Sequence, residues 1–265
     1  MSNPYEIVEP TCISFSGGRT SAYMLYRILE AHQMSLPSDA IVCFANTGKE
    51  DEATLKFVKD CQDNWNVPIT WLEYQSEAPK YKAVSFETAA RDGQPFAELI
   101  AKKNYLPNPV ARFCTEELKV KAINKYIEDK GIKDVETMVG VRADEPRRLP
   151  KLRARGLRVP LADAGVTQHD VQSFWNSQTF NLGLTFRNGV TALGNCDLCF
   201  LKGPEQIMGL IKDDPNRATW WASQEQAIGA TFRSDRPSYT RMSQFIDQQA
   251  DMFDSNGTID CFCGD

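Results

Sequence analysis

The amino-acid sequence predicts an α/β fold: a parallel sheet covered on both faces by helices, followed by a helical C-terminal extension. Three observations carry the prediction. Short apolar, β-prone runs alternate with helical patterns through the first half of the chain. A glycine turn joins the first such run to the first helix. The chain's 265 residues, 42% hydrophobic and 25% charged, suit a folded protein of one or two domains.

Taken in order, Thr11 to Phe15 reads as a strand that leads into Ser16, Gly17, Gly18, Arg19, Thr20 and Ser21. Met24, Leu25, Ile28 and Leu29 then fall at helical spacing and predict a helix over Ala22 to Glu30. The arrangement recurs: Ala40 to Ala45 is a second strand, ending at Asn46, Thr47 and Gly48 before a helix from Asp51 to about Trp65. Pro68 to Tyr74 is a third strand, Thr115 to Lys130 a helix stopped by Gly131, and Val135 to Val141 a further strand. Strands and helices in this alternation make a parallel sheet buried on both sides. The stretch Arg147 to Arg158 carries six basic residues and no acidic one, with Pro150 and Gly156 inside it, and reads as a loop. A short helix over His169 to Trp175 follows, then a glycine-bearing stretch, Gly194 to Gly203 with two cysteines, a helix opening at Pro204, and helical patterns over Asp214 to Ala250 that Pro215 and Pro237 interrupt.

Several function classes drop out early. Thirty basic against 35 acidic residues give a net charge of −5, which argues against a protein that coats nucleic acid with its whole surface. Only two histidines are present, His32 and His169, in no zinc-hydrolase spacing. No apolar run approaches the roughly eighteen residues of a membrane span, and Glu6 and Glu9 stand in place of a basic leader. A cytoplasmic protein without membrane contact is expected. In that compartment eight cysteines point to metal binding or catalysis rather than to disulfides.

A loop between a strand's carboxyl end and a helix's amino end exposes free backbone N–H groups at the positive end of the helix dipole. Gly17 and Gly18 let that backbone approach an anion, Ser16, Thr20 and Ser21 add hydroxyls, and Arg19 adds charge. The loop is neither GxxxxGK[ST] nor GxGxxG; the alternative is an ordinary turn with a Ser/Thr cap.

Ser16-Gly-Gly-Arg-Thr-Ser21 resembles the SGGxDS pyrophosphate loop of the adenine nucleotide alpha hydrolase-like (PP-loop) superfamily. Phe44-Ala-Asn-Thr-Gly48 with Glu50, Cys114 with Glu117 and Lys119, and Gly140-Val-Arg-Ala-Asp-Glu145 narrow the resemblance to the phosphoadenosine phosphosulfate (PAPS) reductase family, over about residues 10 to 205. The resemblance implies a Rossmann-like sheet, a nucleotide-binding region over residues 1–160, and a cysteine-containing helical region over 161–265 packed on it. Ser16 to Ser21 would hold phosphates, Asn46, Thr47 and Gly48 would line the nucleotide, and Gly140, Arg142 and Asp144 would close over the adenosine side. Arg142 and Arg147 are the phosphate candidates near the basic loop, whose alternatives are a nucleic-acid contact or a solvated basic face. Thr20 stands where the superfamily carries Asp, which bears on any Mg²⁺-assisted cleavage of ATP.

Cys196-Asp-Leu-Cys199 is a CxxC turn that directs two thiols at one metal or at each other. Cys114 opens a helix, where the dipole favours thiolate. By resemblance these three would ligate a 4Fe-4S cluster, Phe113-Cys114 standing where the family has a double cysteine; the candidate fourth ligand is Cys263 of the tail, with Cys261 as the runner-up or as the redox nucleophile, and structural zinc or free thiols are the alternatives. Cys12, Cys43 and Cys61 are expected in the core, and Trp220 and Trp221 either there or stacked on bases.

The function expected from the resemblance is sulfonucleotide reduction beside the cluster. The substrate would be PAPS, its unphosphorylated analogue APS or another adenine nucleotide such as ATP, and a thiol carrier such as thioredoxin the partner. The alternatives are an ATP-dependent adenylating sulfurtransferase acting on tRNA or DNA, and a non-catalytic nucleotide-binding protein; a homodimer is compatible with each.

Overall fold

The structure is a computed structural model that describes residues 3–187 and 190–254. Its main sheet contains β1 (Thr11–Phe15), β2 (Ala40–Asn46), β3 (Ile69–Tyr74), β4 (Tyr81–Val84) and β5 (Glu136–Val139), in the spatial order β4-β3-β2-β1-β5. β1 pairs in parallel with β2, Thr11 beside Ala40, and with β5, Thr11 beside Glu136; β2 pairs in parallel with β3, Val42 beside Ile69. The α/β fold with a mostly parallel sheet is therefore as expected. β4 is an addition, an antiparallel edge with Trp71 beside Val84 and Tyr74 beside Tyr81. Its four residues, Tyr-Lys-Ala-Val, are half exposed and too short to carry an alternation legible in sequence.

The helices are α1 (Arg19–Ala31), α2 (Glu52–Asn64), α3 (Gln94–Lys103), α4 (Phe113–Thr115), α5 (Ala122–Asp129), α6 (Leu149–Arg153), α7 (Pro160–Asp163), α8 (Gln168–Ser177), α9 (Pro204–Asp213), α10 (Asn216–Ile228) and α11 (Tyr239–Asp254). A π-helical segment, Glu116–Lys121, joins α4 to α5. A small antiparallel pair, β6 (Phe186–Arg187) and β7 (Val190–Thr191), follows α8. The basic stretch expected as a loop contains α6, because Pro150 sits in the first helical turn, where its missing N–H costs nothing. Four of its cations are paired: Arg148 with Glu145, Arg153 with Asp163, Arg155 with Glu116 and Arg158 with Glu136.

Alternation along the strands splits the core in two. Ile13, Phe15, Val42 and Phe44 pack with Met24, Leu25 and Ile28 of α1 and Leu55 and Val58 of α2. Cys12, Cys43, Ala45 and Leu72 pack with Ile123 and Ile127 of α5 on the opposite face. Cys12, Cys43 and Cys61 are fully buried, as expected. The first core also takes in Leu161, Val166, Val171 and Trp175, so it extends past residue 160. A third cluster joins Phe96, Leu99 and Leu118 to Leu198, Ile207, Trp221, Phe232 and Tyr239. Trp221 is buried there and Trp220 packs on Phe96, so both tryptophans belong to the packing rather than to a stacking platform. Among the described residues no helix is long and apolar enough to cross a membrane.

Candidate functional site

The turn after β1 is shaped for close approach. Gly17 has a φ of +76°, and a Cβ there would stand 2.8 Å from Thr54 Cγ2 on α2. Gly18 caps α1 without a side-chain cap, which leaves first-turn N–H groups open to an anion. Ser21 Oγ donates to the Gly18 carbonyl at 2.9 Å, accepts from the Ser16 N–H at 3.1 Å and lies 2.9 Å from Ser16 Oγ, so the turn is braced from within. Arg19 Nε donates to Asn181 Oδ1 at 2.7 Å and its backbone carbonyl accepts the Trp175 indole N–H at 2.9 Å, tying the turn to α8 and the segment after it.

The end of β5 comes against this turn. A Cβ on Gly140 would lie 2.8 Å from Ser21 Cα, so glycine is required for the end of β5 to meet the first turn of α1. Arg142 Nη1 then donates to Thr20 Oγ1 at 3.3 Å, and its Nε pairs with Asp144 at 2.8 Å. Burial opposes the charge on Asp144, but the Gln168 N–H and the Arg142 guanidinium outweigh it and hold the carboxyl below its ordinary value. Glu145 accepts the Arg142 N–H and pairs with Arg148.

The turn after β2 splits its expected residues. Asn46 is fully buried: its Nδ2 donates to Glu73 Oε1 at 2.6 Å and to the Ala90 carbonyl at 2.8 Å, and its Oδ1 accepts the Gly48 N–H. Asn46 therefore shapes the turn, and of the three expected nucleotide-lining residues Thr47 alone reaches the cavity described below. Glu50 accepts both the Thr47 N–H, at 2.8 Å, and its hydroxyl, at 2.7 Å, and lies 3.4 Å from Lys119 Nζ. Burial opposes the Lys119 charge, yet Glu50 and the sulfurs of Cys196 and Cys114 keep the ammonium above its ordinary value. Lys119 sits in the π-helical segment, a rare geometry that recurs at functional sites.

Thr47 Oγ1 is 3.4 Å from Cys196 Sγ. With the hydroxyl proton committed to Glu50, the thiol is the donor. The CxxC turn is held to the β2 turn by an antiparallel bridge between Glu50 and Cys196 and by the Asp197 N–H donating to the Lys49 carbonyl at 2.7 Å. Burial pushes the Cys196 thiol up, and Glu50 adds to the shift; burial and then Cys199 raise Cys114. The expected dipole effect at Cys114 is overridden, because α4 is only three residues long and the thiol is sheltered. All six cysteines among the described residues are free.

These parts open into one cavity of about 960 Å³. It is lined by Ser16 to Ser21, Thr47, Gly140, Arg142, and all three of Cys114, Cys196 and Cys199. Asn46, Gly48, Asp144 and Arg147 are not in its wall; Arg148, Arg112, Lys119 and Lys202 are, and are additions. Glu50 and Lys119 are visible in sequence as parts of motifs, whereas nothing local distinguishes Arg148 from Arg147. The donor set suits an iron–sulfur centre in kind, with three soft thiols and no histidine. Among the described residues no group of three or more His, Cys, Asp or Glu side chains could hold a metal ion. Cys261 and Cys263 lie outside the described residues.

No family model matches this chain. It is 32% identical over 216 residues to the uncharacterized nin region protein ORF290 of Escherichia phage lambda, covering 76% of this chain and 69% of that protein. It is also 32% identical over 146 residues to the uncharacterized protein MJ0066 of Methanocaldococcus jannaschii, 55% of this chain and 25% of the archaeal one.

Proposed function

From a chain that belongs to the family of the phage lambda nin region protein ORF290, we propose a sulfonucleotide reductase-like enzyme that binds an adenine nucleotide and works on sulfur beside its cysteines. The observation that carries the proposal is the shared cavity: an open helix amino end and its glycine turn, Arg142, and three thiols face one space at the carboxyl ends of β1, β2 and β5. β1 is where the connections reverse direction, the place at which open α/β sheets bind ligands.

In this reading the N–H groups after Gly18 and the hydroxyls of Ser16 and Thr20 hold the phosphates, and Arg142 adds a charge-assisted hydrogen bond. The Thr47–Glu50–Lys119 chain orients Cys196 and supplies positive charge near the reacting sulfur. Cys114, Cys196 and Cys199 line one cavity but do not by themselves form a group that could hold a metal ion, so a 4Fe-4S cluster, which when bound supplies electrostatic or electron-transfer chemistry, would need Cys263 of the tail as well. The Cys261 thiolate would attack the sulfonucleotide sulfur as the sulfur–oxygen bond to phosphate breaks. The adenosine phosphate then leaves. Two thiols of a carrier release sulfite from the thiosulfonate and become a disulfide.

Anaerobic purification with iron and sulfide analysis, followed by incubation with PAPS or APS and reduced thioredoxin, tests this. The expected outcome is an iron-containing chain that releases sulfite and loses that activity in Cys261→Ser. A colourless zinc protein releasing no sulfite would overturn it, and pyrophosphate release from ATP that needs added tRNA or DNA would assign the site to adenylating thiolation instead.

A further inference from the structure

The residue that follows the first cysteine of the CxxC turn is a buried carboxylate. Asp197 is 5% exposed. Its Oδ1 accepts the Trp221 indole N–H at 2.8 Å and the Leu198 N–H at 2.7 Å, and its Oδ2 lies 3.1 Å from Lys49 Nζ. The Lys49 side chain is itself 10% exposed and its ammonium stands 5.3 Å from the centre of the Trp220 ring. Lys49 belongs to the turn that ends β2, two residues beyond the Thr47 hydroxyl that meets the Cys196 sulfur.

Desolvating two ions offsets most of what their attraction returns, so a buried pair is a poor device for stability alone; its attested use is to fix one arrangement among several. Here the arrangement fixed is the distance between the CxxC turn and the strand end that lines the cavity. The backbone bonds between the two turns are few, and the side-chain pair adds direction: it reaches from one turn to the other while the α10 tryptophans close over it. We propose that Asp197 is a positioning residue which, through Lys49 and Trp221, holds Cys196 and Cys199 against the cavity wall at a set spacing from the anion site after β1. The inference rests on the reading of the cavity as a thiol site and adds the element that keeps its geometry.

The test compares Asp197→Asn, which preserves shape and an acceptor for Trp221, with Lys49→Met, which leaves Asp197 in place, and with the double variant. Each cysteine's rate of alkylation by iodoacetamide is followed by mass spectrometry on the full reduced chain. Expected is a rise of about tenfold or more at Cys196 and Cys199 in both single variants, with Cys12, Cys43 and Cys61 unlabelled and the Kd for adenosine 3′,5′-bisphosphate within about threefold. The double variant, in which no unpaired ion remains, is expected to regain thermal stability and still label fast. If the isolated chain carries iron, the rate of iron loss to a chelator replaces alkylation and is expected to rise in the same variants. Rates within twofold of the unmodified chain, an equal rise at Cys61, or a double variant that labels slowly would each overturn the proposal. Failure of the unmodified chain to bind the bisphosphate would remove the functional reading while leaving the labelling comparison intact.

Discussion

A methyl group at Gly17 would collide with Thr54 at 2.8 Å, in a backbone conformation that L side chains already resist. Gly17→Ala should therefore cost about 1–3 kcal/mol in denaturant unfolding and abolish nucleotide binding. Arg142 and its neighbours give a sharper contrast. Arg142 meets Thr20 beside the phosphate turn, so Arg142→Met should weaken adenine nucleotide affinity about tenfold, since hydrogen bonds to charged groups are worth ~1.5–3 kcal/mol. Arg147 is exposed outside the cavity, and Arg147→Met should leave the Kd within about twofold. Calorimetric titration of the two variants checks both; equal losses would place the anion elsewhere. The glycine was legible in sequence because its role is set by two or three adjacent residues. The choice between Arg147 and Arg148 was not, because successive residues in a turn point to different sides.

At the scale of elements, α8 lends the cavity wall Gln172 and Trp175 and is started by a reciprocal cap. The Thr167 N–H and hydroxyl both donate to Asp170 Oδ2, at 2.8 and 2.7 Å. Those bonds hold the Asp170 carboxyl below its ordinary value, the Thr167 hydroxyl contributing most. A depressed carboxyl contributes stability that is present above its unfolded value of about 3.9 and is lost as the pH falls through the folded one. Asp170→Ala should cost about 0.5–1 kcal/mol at neutral pH, and the two chains should converge as the pH falls through the depressed folded value. Thermal melts across that range decide it; a gap that persists in acid would mean Asp170 acts otherwise. The helical pattern expected over Thr115 to Lys130 is present, but its first part is π-helical, which turns Lys119 toward Glu50. Periodicity cannot announce that widening, because it depends on what the segment packs against.

Across the whole molecule, the boundary expected at residue 160 crosses a continuous core. Leu161, Val171 and Trp175 pack with α1 and α2, and the Trp175 indole also closes on Arg19. A fragment of residues 1–160 should therefore lack a cooperative thermal transition, since it leaves buried apolar surface worth about 1.5–3 kcal/mol per large side chain open to water. A sharp melt from that fragment would show the first region to be self-sufficient. The cavity wall also runs against the chain's overall charge. Arg19, Arg112, Lys119, Arg142, Arg148 and Lys202 line it with Glu145 the sole acidic residue of that wall among the described residues, in a chain of net charge −5, though Glu50 and Asp144 partly neutralise it from behind. Nucleotide affinity should accordingly fall several-fold as salt screens these charges. Affinity independent of ionic strength would count against the phosphate site.

By itself the sequence determined the alternation of the four parallel strands with α1, α2 and the helix before β5, the glycine turn after the first strand and the three cysteines of the core. Those depend on side-chain alternation and on backbone freedom at single positions, both written within a few neighbouring residues. Only the tertiary structure decided that Cys114, Cys196 and Cys199 share a cavity with that turn, that Asn46 serves the backbone, and that Asp197 meets Lys49. These depend on where segments about 30 to 180 positions apart in the chain are brought into contact, which burial and charge pairing select only once the sheet has formed.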